Sequence, residues 1–411
     1  MKYTYKRDAI KGLSIMPFLN MVKDRNKVIE QAEAVIPQTD FNANILAARL
    51  HPESQYVTIR EIVDHGDAKT FVFAPDERCG TKELAYFRAG QYVSVSLDFE
   101  GGTMCKPYAI RSNPKDALGT EGNRYMITVK RSPGGFASEY MLNELKVGDH
   151  LELSGPLGEF YYQKFRDEKD VVALAGGSGI TPFYSMAAAI VSGIEDFNLT
   201  ILYGSRTSNG ILLKEELDAL AKQSGGKVKV IHVLSHEKKE GYEHGFLTAE
   251  LIRKYAPEKY SLFVCGPGPL YAFAKEQAKL LGLKRKQVRM ELPGDYVNPQ
   301  KNADYPAGIE GKTFQMEVHL NGTVRQVSVR WDQTILQALE RAHIKAPSHC
   351  RSGECGWCHS KLLSGQVYIP ADVDGRRMAD LKFGWIHPCA TYAAGNLKIE
   401  VYPVMKEQDE V

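Results

Sequence analysis

The chain has 411 residues, of which 43% are hydrophobic and 25% charged, and its formal net charge is +2. That length exceeds what one hydrophobic core usually serves, so two to four domains are expected, and the composition excludes a disordered or membrane-spanning class. A nearly balanced charge leaves no electrostatic footprint for nucleic acid.

Residues 1–52 read as a helical extension. The apolar stretch 12–22 follows basic residues, but Pro17 and Asn20 interrupt it, no small-residue cleavage site follows, and it is too short to span a bilayer. Val28, Ile29, Ala32 and Val35 recur at helical spacing before Pro37. The extension either packs on the body of the protein or serves as a peripheral docking element for a partner or membrane.

From 53 to 162 the texture changes to short β-rich runs at 57–63, 70–73, 92–97, 125–129 and 150–153, punctuated by glycine and proline; this predicts a small antiparallel barrel. From 163 to 293 apolar runs at 171–174, 200–203, 229–234 and 262–264 alternate with helical stretches, which predicts a doubly wound α/β domain with a buried parallel sheet. Residues 294–312, rich in Pro, Asn and Gly, read as a linker. A compact unit at 313–405 follows, with a hairpin around Asn321-Gly322 and a helix over 334–342.

The last unit holds Cys350, Cys355, Cys358 and Cys389, a C-x4-C-x2-C triplet with a fourth cysteine 31 positions on. That is the plant-type ligand pattern of a [2Fe–2S] cluster, with Gly353 and Gly356 allowing backbone N–H groups near its sulfurs. The alternative is a four-cysteine zinc site, which usually takes two C-x2-C knuckles; here only Cys355 and Cys358 have that spacing. Cys79, Cys105 and Cys265 are an odd remainder with no disulfide framework, as in a reducing, cytoplasmic setting.

Upstream, a buried run ends in Gly176-Gly177-Ser178-Gly179-Ile180-Thr181-Pro182. A strand, a glycine turn and a helix opened by proline aim free backbone N–H groups at an anion, as a dinucleotide cradle does; the same turn can also be purely structural. The next strand ends in Ser205-Arg206, placed to meet a ribose or its 2′-phosphate, unless Arg206 pairs with Glu215 or Glu216; NADH and NADPH both fit. Cys265-Gly266-Pro267 ends a later strand, where such sheets bind ligands, although a buried thiol also serves as a small hydrophobe. In the barrel, Lys106-Pro107-Tyr108-Ala109 brings a cation and an aromatic ring together, and Gly135 with Ser138 opens a helix that could face phosphate.

In this order the motifs resemble the ferredoxin–NADP reductase superfamily, specifically its iron–sulfur flavoprotein reductases with a C-terminal plant-type [2Fe–2S] ferredoxin domain. The resemblance covers 56–403 and implies a multidomain fold: an antiparallel β-barrel flavin domain, an α/β nucleotide domain and an α+β ferredoxin-like (β-grasp) domain. It implies FAD, or FMN as in some relatives, with Lys106 on the flavin phosphate, Tyr108 on the ring system, and Gly135 and Ser138 at the phosphates. It places Gly177 to Thr181 on NADH or NADPH, and Cys265 beside the nicotinamide. Two positions depart: Lys106 stands for the family arginine and Ala109 for the hydroxyl residue, with Ser112 nearby as a substitute.

The function so implied is an NAD(P)H-dependent reductase passing electrons through flavin and cluster to a protein acceptor: an oxygenase, another metalloenzyme component or a small carrier. Tyr108 and Cys265 are the candidate catalytic residues, and Glu291 is a candidate for contact near the flavin. A redox-sensing or electron-transfer subunit that works only within a complex is the alternative, as is reverse flow toward NAD(P)+ from a cluster near about −400 mV. Trp357, in the cluster loop, either marks the acceptor surface or packs against the barrel.

Overall fold

The computed structural model describes residues 20, 21, 23, 24, 27 and 42–402, apart from 100, 101, 119–121, 133, 134, 292, 293, 296 and 297; residues 44, 48, 49 and 102 are described by backbone only. The helical spacing at Val28, Ile29, Ala32 and Val35, most of the apolar stretch 12–22, and Gly134 of the glycine pair lie outside the described residues. The chain falls into two compact units, Met1–Ala47 and Ala48–Val411. In the first, residues 20, 21, 23, 24 and 27 are helical and exposed. Helix α1 (Asn42–Leu50) carries exposed Ile45 and Leu46.

The second unit opens with β1 (Ser54–Asp64), β2 (Ala68–Pro75), β3 (Tyr92–Phe99), β4 (Gly102–Ala109), β5 (Tyr125–Lys130), helix α2 (Phe136–Asn143) and β6 (His150–Ser154). The six strands pair antiparallel in the order β4-β3-β6-β1-β2-β5. Inward residues alternate with outward ones along β1, so Val57 and Ile59 are fully buried, until a bulge between Ile59 and Glu61 resets the register. Past β4 the Arg111 N–H donates to the Met126 carbonyl on β5 at 2.7 Å, which draws the two ends of the sheet together. The five expected runs are all strands, and β4 is a sixth. Its Pro107 is tolerated because β4 is an edge strand.

Next come β7 (Asp170–Gly176), α3 (Thr181–Val191), β8 (Asn198–Ser205), α4 (Lys214–Gln223), β9 (Val228–Leu234), β10 (Glu243–His244), α5 (Ala249–Tyr255), β11 (Ser261–Cys265), α6 (Gly268–Leu280) and β12 (Val288–Met290). The sheet is parallel throughout, in the order β10-β9-β8-β7-β11-β12. β7 is central and buried from Val171 to Ala175 because helices cover both faces. The chain leaves β7 toward β8 on one side and later returns through β11 on the other, so the carboxyl ends of β7 and β11 form a switch point.

The third sheet contains β13 (Thr313–Leu320), β14 (Thr323–Arg330), β15 (Ser360–Tyr368), β16 (Trp385–Ile386) and β17 (Tyr392–Val401) in the order β14-β13-β17-β15-β16, with β13 and β17 parallel. Helix α7 (Ile335–Arg341) packs Ile335, Ala338 and Leu339 on it. Thr334 caps α7: its Oγ1 accepts from the Gln337 N–H at 3.2 Å, and its own N–H donates to Gln337 Oε1 at 3.1 Å. Helix α8 (Met378–Phe383) precedes β16. Among the described residues no helix is long and apolar enough to cross a membrane.

A buried ion pair joins the barrel's exit to the parallel sheet. Arg289 of β12 meets Asp167 at 3.0 Å, donates to the carbonyls of Glu159 and Tyr161 at 2.7 Å each, and lies over the Phe263 ring. Removing one partner of such a pair strands the other charge away from water. Asp167→Ala is expected to lower unfolding stability by about 3–5 kcal/mol, measurable as a fall in the urea midpoint.

Candidate functional site

The switch point opens into a cavity of about 1300 Å³ between the barrel and the parallel sheet. A single small molecule usually takes roughly 300–1,000 Å³, so this space suits an extended ligand or two ligands meeting end to end. Gly176 to Gly179 form its floor at the end of β7 and lead into α3. Only glycine permits this junction: a Cβ on Gly179 would stand 2.2 Å from the Cys265 carbonyl oxygen. Thr181 bonds back to the Ser178 carbonyl at 3.0 Å and holds the turn.

Cys265, Gly266 and Pro267 line the opposite lip, and burial, aided by the charge of Glu291, pushes the Cys265 thiol well up, so it is neutral at ordinary pH. Glu291 lines the cavity as well. Ser205 and Arg206 stand at the end of β8. The Ser205 Oγ is buried and has no hydrogen-bond partner among the described residues, an orphan that a ligand hydroxyl or phosphate would satisfy. Arg206 is exposed and pairs with neither Glu215 nor Glu216; Glu216 faces Arg111 instead, at 3.8 Å.

From the barrel, Tyr92, Pro107, Tyr108, Ala109, Lys130, Arg131 and Ser132 line the same cavity. Burial pushes the Tyr108 hydroxyl up, keeping it neutral. Gly135 is the N-cap of α2, and the Ser138 hydroxyl is spent on the loop, donating to the Gly135 carbonyl at 2.9 Å and accepting from the Ser132 N–H at 3.1 Å. Ser138 therefore shapes the turn. The Ser112 hydroxyl accepts from the Met126 N–H at 3.2 Å and is nine-tenths or more buried.

Lys106 departs furthest from what its motif suggests. Its ammonium is bonded to Asp295, and Asp295 Oδ1 also meets Arg351 Nε at 2.5 Å. Arg351, fully buried in the cluster loop, holds Glu340 of α7 with both terminal nitrogens, at 2.5 and 3.0 Å, and donates to the Cys105 carbonyl of β4 at 3.2 Å. Four charges of alternating sign thus run from barrel to interdomain segment to cluster loop to helix. Burial pulls the Lys106 ammonium down, with Asp295 opposing it. Asp295, Arg351 and Glu340 carry no motif; their partnership spans residues far apart in the chain, and sequence reasoning missed it.

The same network seats the cysteine loop. The Ser352 and Cys355 N–H groups donate to Cys350 Sγ at 3.4 Å, the Gly353 N–H to Cys389 Sγ at 3.3 Å and the Trp357 N–H to Cys355 Sγ at 3.5 Å. Hydrogen bonds from Cys355 and Cys389 pull the Cys350 thiol down. Cys358 Sγ lies 3.4 Å from Cys389 Sγ. Sets of three or more donors lying mutually within 4.8 Å, as one tetrahedral ion needs, do not include these sulfurs among the described residues. The set that does meet the distance condition, Asp76, Cys79 and His150, is engaged internally: Asp76 caps a short turn and faces His150 Nδ1 at 2.5 Å.

Tyr92 joins the two regions. It lines the cavity, and the charges of Cys350 and Cys355, secondary to burial, act on its hydroxyl and push it up. Ser94 on the same strand donates to the His349 carbonyl at 3.2 Å, while Trp357 rests on the His349 ring, 4.5 Å between centroids, and stays partly exposed. Asp295→Ala would take from Lys106 its bonded carboxylate and leave Arg351 with Glu340 alone. The expected result is a loss of about 3–5 kcal/mol in stability and less iron per purified chain, read by thermal melting and metal analysis.

Comparison with known proteins agrees with this geometry. Residues 57–162 match the oxidoreductase FAD-binding domain, 173–276 the oxidoreductase NAD-binding domain and 318–394 the 2Fe-2S iron-sulfur cluster binding domain. The ferredoxin reductase component of 3-ketosteroid-9-alpha-monooxygenase from Mycobacterium tuberculosis is 30% identical over 346 residues, covering 80% of this chain and 91% of that protein. The component of the same name from Rhodococcus rhodochrous is 28% identical, covering 84% and 97%. The glycine betaine monooxygenase reductase subunit of Pseudomonas aeruginosa is 26% identical, covering 83% and 93%. Phthalate dioxygenase reductase shares the fold, with a TM-score of 0.60 at 23% identity over 85% of this chain and 98% of that one. The chain belongs to the iron–sulfur flavoprotein reductases of the ferredoxin–NADP reductase superfamily, in which an FAD-binding barrel, a pyridine-nucleotide domain and a plant-type [2Fe–2S] domain follow one another in a single chain.

Proposed function

We propose that this reductase is the electron-supplying component of an oxygenase system, oxidising NADH or NADPH and delivering single electrons to an oxygenase partner. The observation that carries the reading is the seating of the cysteine loop on the barrel wall, where Ser94 bonds the His349 carbonyl and Arg351 the Cys105 carbonyl, next to a strand whose Tyr92 lines the cavity. The monooxygenase reductase components among its relatives, matched over nearly their full length, support the choice of partner. When bound, FAD and the cluster supply the conversion of a two-electron hydride donor into one-electron steps.

The chain's own residues bind, align and exclude water. The amides of Gly177 to Thr181, at the start of α3, receive the nucleotide's pyrophosphate, and the neutral Cys265 thiol and Gly266 border the nicotinamide without adding charge. Tyr108 presents its ring to the flavin, and Ala109 leaves that wall without a hydroxyl. Lys106 is held by Asp295, and Lys130 and Arg131, which line the cavity, are paired in turn with Asp67 and Glu139; these cations and Gly135 at the start of α2 are the groups available to the flavin phosphates. Cys350, Cys355, Cys358 and Cys389 would hold the irons. Hydride transfer between aligned rings needs positioning more than an acid and a base, so the cavity works without a His–Asp pair. A cytoplasmic location belongs to the same reading, supported by the scattered, odd-numbered remainder Cys79, Cys105 and Cys265.

The test is an anaerobic titration of purified protein with NADH and NADPH, in which flavin and cluster bands should bleach in turn; a colourless protein, or bands that do not respond, would sink the reading. Cys358→Ser should abolish the cluster bands and leave flavin reduction within a few-fold of the parent. Because Arg206 has no ion-pair partner among the described residues and stands beside Ser205, Arg206→Glu should lower kcat/KM for NADPH by about tenfold or more, with NADH far less affected.

A further inference from the structure

Asp76, Cys79 and His150 bring an oxygen, a sulfur and a nitrogen donor within 4.8 Å of one another, and none of the three lines the cavity. The donors come from two places in the barrel sheet. Asp76 and Cys79 belong to the turn that follows β2, and His150 opens β6; β1 lies between, with Thr58 paired to Ala74 of β2 on one side and to His150 on the other. The turn is fixed by its own backbone. The Asp76 carbonyl accepts from the N–H groups of Cys79 at 3.2 Å and Thr81 at 3.1 Å, and Gly80 closes the turn at φ 96°. Both ends are tied to Tyr56 of β1: the Asp76 N–H donates to its carbonyl at 2.9 Å, and Thr81 Oγ1 accepts from its N–H at 2.8 Å. In so tight a turn, side chains three positions apart lie over one another, which brings Cys79 to the Asp76 carboxylate.

The bonds that join the three groups are made by protons that a cation can replace. Asp76 Oδ1 accepts from the Arg78 N–H at 3.1 Å, which orients the carboxylate and leaves Oδ2 to face His150 Nδ1 at 2.5 Å. The bond to His150 holds the Asp76 carboxyl below its ordinary range, so the carboxyl is anionic and the ring nitrogen is the donor. Bonding to the same carboxylate pushes the Cys79 thiol up, so its proton is directed at Asp76 as well. With the thiol deprotonated, carboxylate and thiolate together cancel the charge of a divalent cation while the imidazole stays neutral. A mixed oxygen, nitrogen and sulfur set does not suit Mg2+ or Ca2+, which take oxygen ligands, but it suits Zn2+. A tetrahedral zinc holds its ligand atoms roughly 3.3–3.6 Å apart, so Oδ2 and Nδ1 must separate by about 1 Å. The His150 side chain is 55% exposed and has room for that shift, and exposed Cys79 gives the ion a path from solvent to the buried Asp76.

We propose that Asp76, Cys79 and His150 form a zinc site, with Asp76 Oδ2, Cys79 Sγ and His150 Nδ1 as ligands and water in the fourth position. Binding releases the Cys79 proton to solvent and shifts the His150 ring proton from Nδ1 to Nε2, so a site of charge −1 becomes a neutral complex and one proton leaves for each ion bound. The ligands tie the turn after β2 to the start of β6 across β1. The ion therefore acts as a clamp on the barrel and takes no part in electron transfer, for which it has no redox chemistry. This site lies beyond the reductase reading and does not depend on it.

The experiment titrates Zn2+ into the full-length protein with flavin and cluster in place, anaerobically so that Cys79 stays reduced, and follows it by calorimetry and by X-ray absorption at the zinc edge. The parent should bind one Zn2+ per chain, with one sulfur at about 2.3 Å and nitrogen or oxygen at about 2.0–2.2 Å, and its unfolding temperature should rise with the zinc concentration. Cys79→Ser and His150→Gln should each weaken binding by about tenfold or more, and Cys79→Ser should remove the sulfur from the zinc shell. Both side chains are exposed, so neither substitution disturbs the core. No binding by the parent, equal binding by the parent and both variants, or zinc surrounded by two or more sulfurs, as the cluster cysteines would supply, overturns the site. Bleaching by pyridine nucleotide, recorded on the same samples, should be alike in parent and variants; its absence from all three overturns the reductase reading and leaves the zinc result standing.

Discussion

Everything that makes this chain a conduit depends on one buried guanidinium. Arg351 stands directly after Cys350 and has no access to water, and it is held by Asp295, Glu340 and the Cys105 carbonyl. An isolated charge in that position would cost several kcal/mol in lost hydration. Alternation of sign from Lys106 to Asp295 to Arg351 to Glu340 offsets that cost only while barrel, interdomain segment and ferredoxin-like sheet stay together. Moving the cluster loop away from β4 would leave charges buried without partners. The arrangement contributes less to net stability than to uniqueness, because one placement of the cysteines relative to the cavity satisfies all four groups. Lysine at 106 belongs to the same solution: a flexible point charge can reach Asp295, whereas a planar fork would demand a bidentate partner.

On the other side of the cavity the controlling constraint is steric. β7 and β11 deliver their carboxyl ends so close together that Gly179 has no room for a side chain, and that closeness creates the concave floor lined with backbone N–H groups. The walls are mostly uncharged at ordinary pH: burial keeps Tyr108 and Cys265 in their neutral forms. Charge enters at the rims, through Lys130 and Arg131 from the barrel and Arg206 from β8. A polar, cationic edge around a neutral centre suits ligands that carry phosphates at one end and a flat redox-active ring at the other.

Much of this was legible in the primary structure. The cysteine spacing specified a two-iron site because ligand loops of that kind are local, and the buried runs at 171–174 and 262–264 specified a covered parallel sheet because both faces of each strand must be apolar. β4 escaped detection: an edge strand can carry Pro107 and need not alternate cleanly, so it lacks the pattern that marks its neighbours. Ser138 and Ser112 were assigned by motif and proximity; the Ser138 hydroxyl bonds the backbone of its own turn, and that of Ser112 accepts from the Met126 N–H on β5. Lys106 sits where its motif places it along the chain, but its partner comes from Asp295, far away in sequence.

What the sequence by itself determined was the list of chemical parts and their order: a barrel, a glycine cradle at the end of a strand, and four thiols at cluster spacing. Each of these is set by local geometry or by short-range periodicity, which a linear text preserves. Only the tertiary structure decided how the parts address one another: which cation faces the cavity, which carboxylate bridges Lys106 to Arg351, and which imidazole meets Asp76 and Cys79. Those outcomes depend on burying opposite charges together across hundreds of residues, and desolvation acts only on groups that folding has already brought into contact.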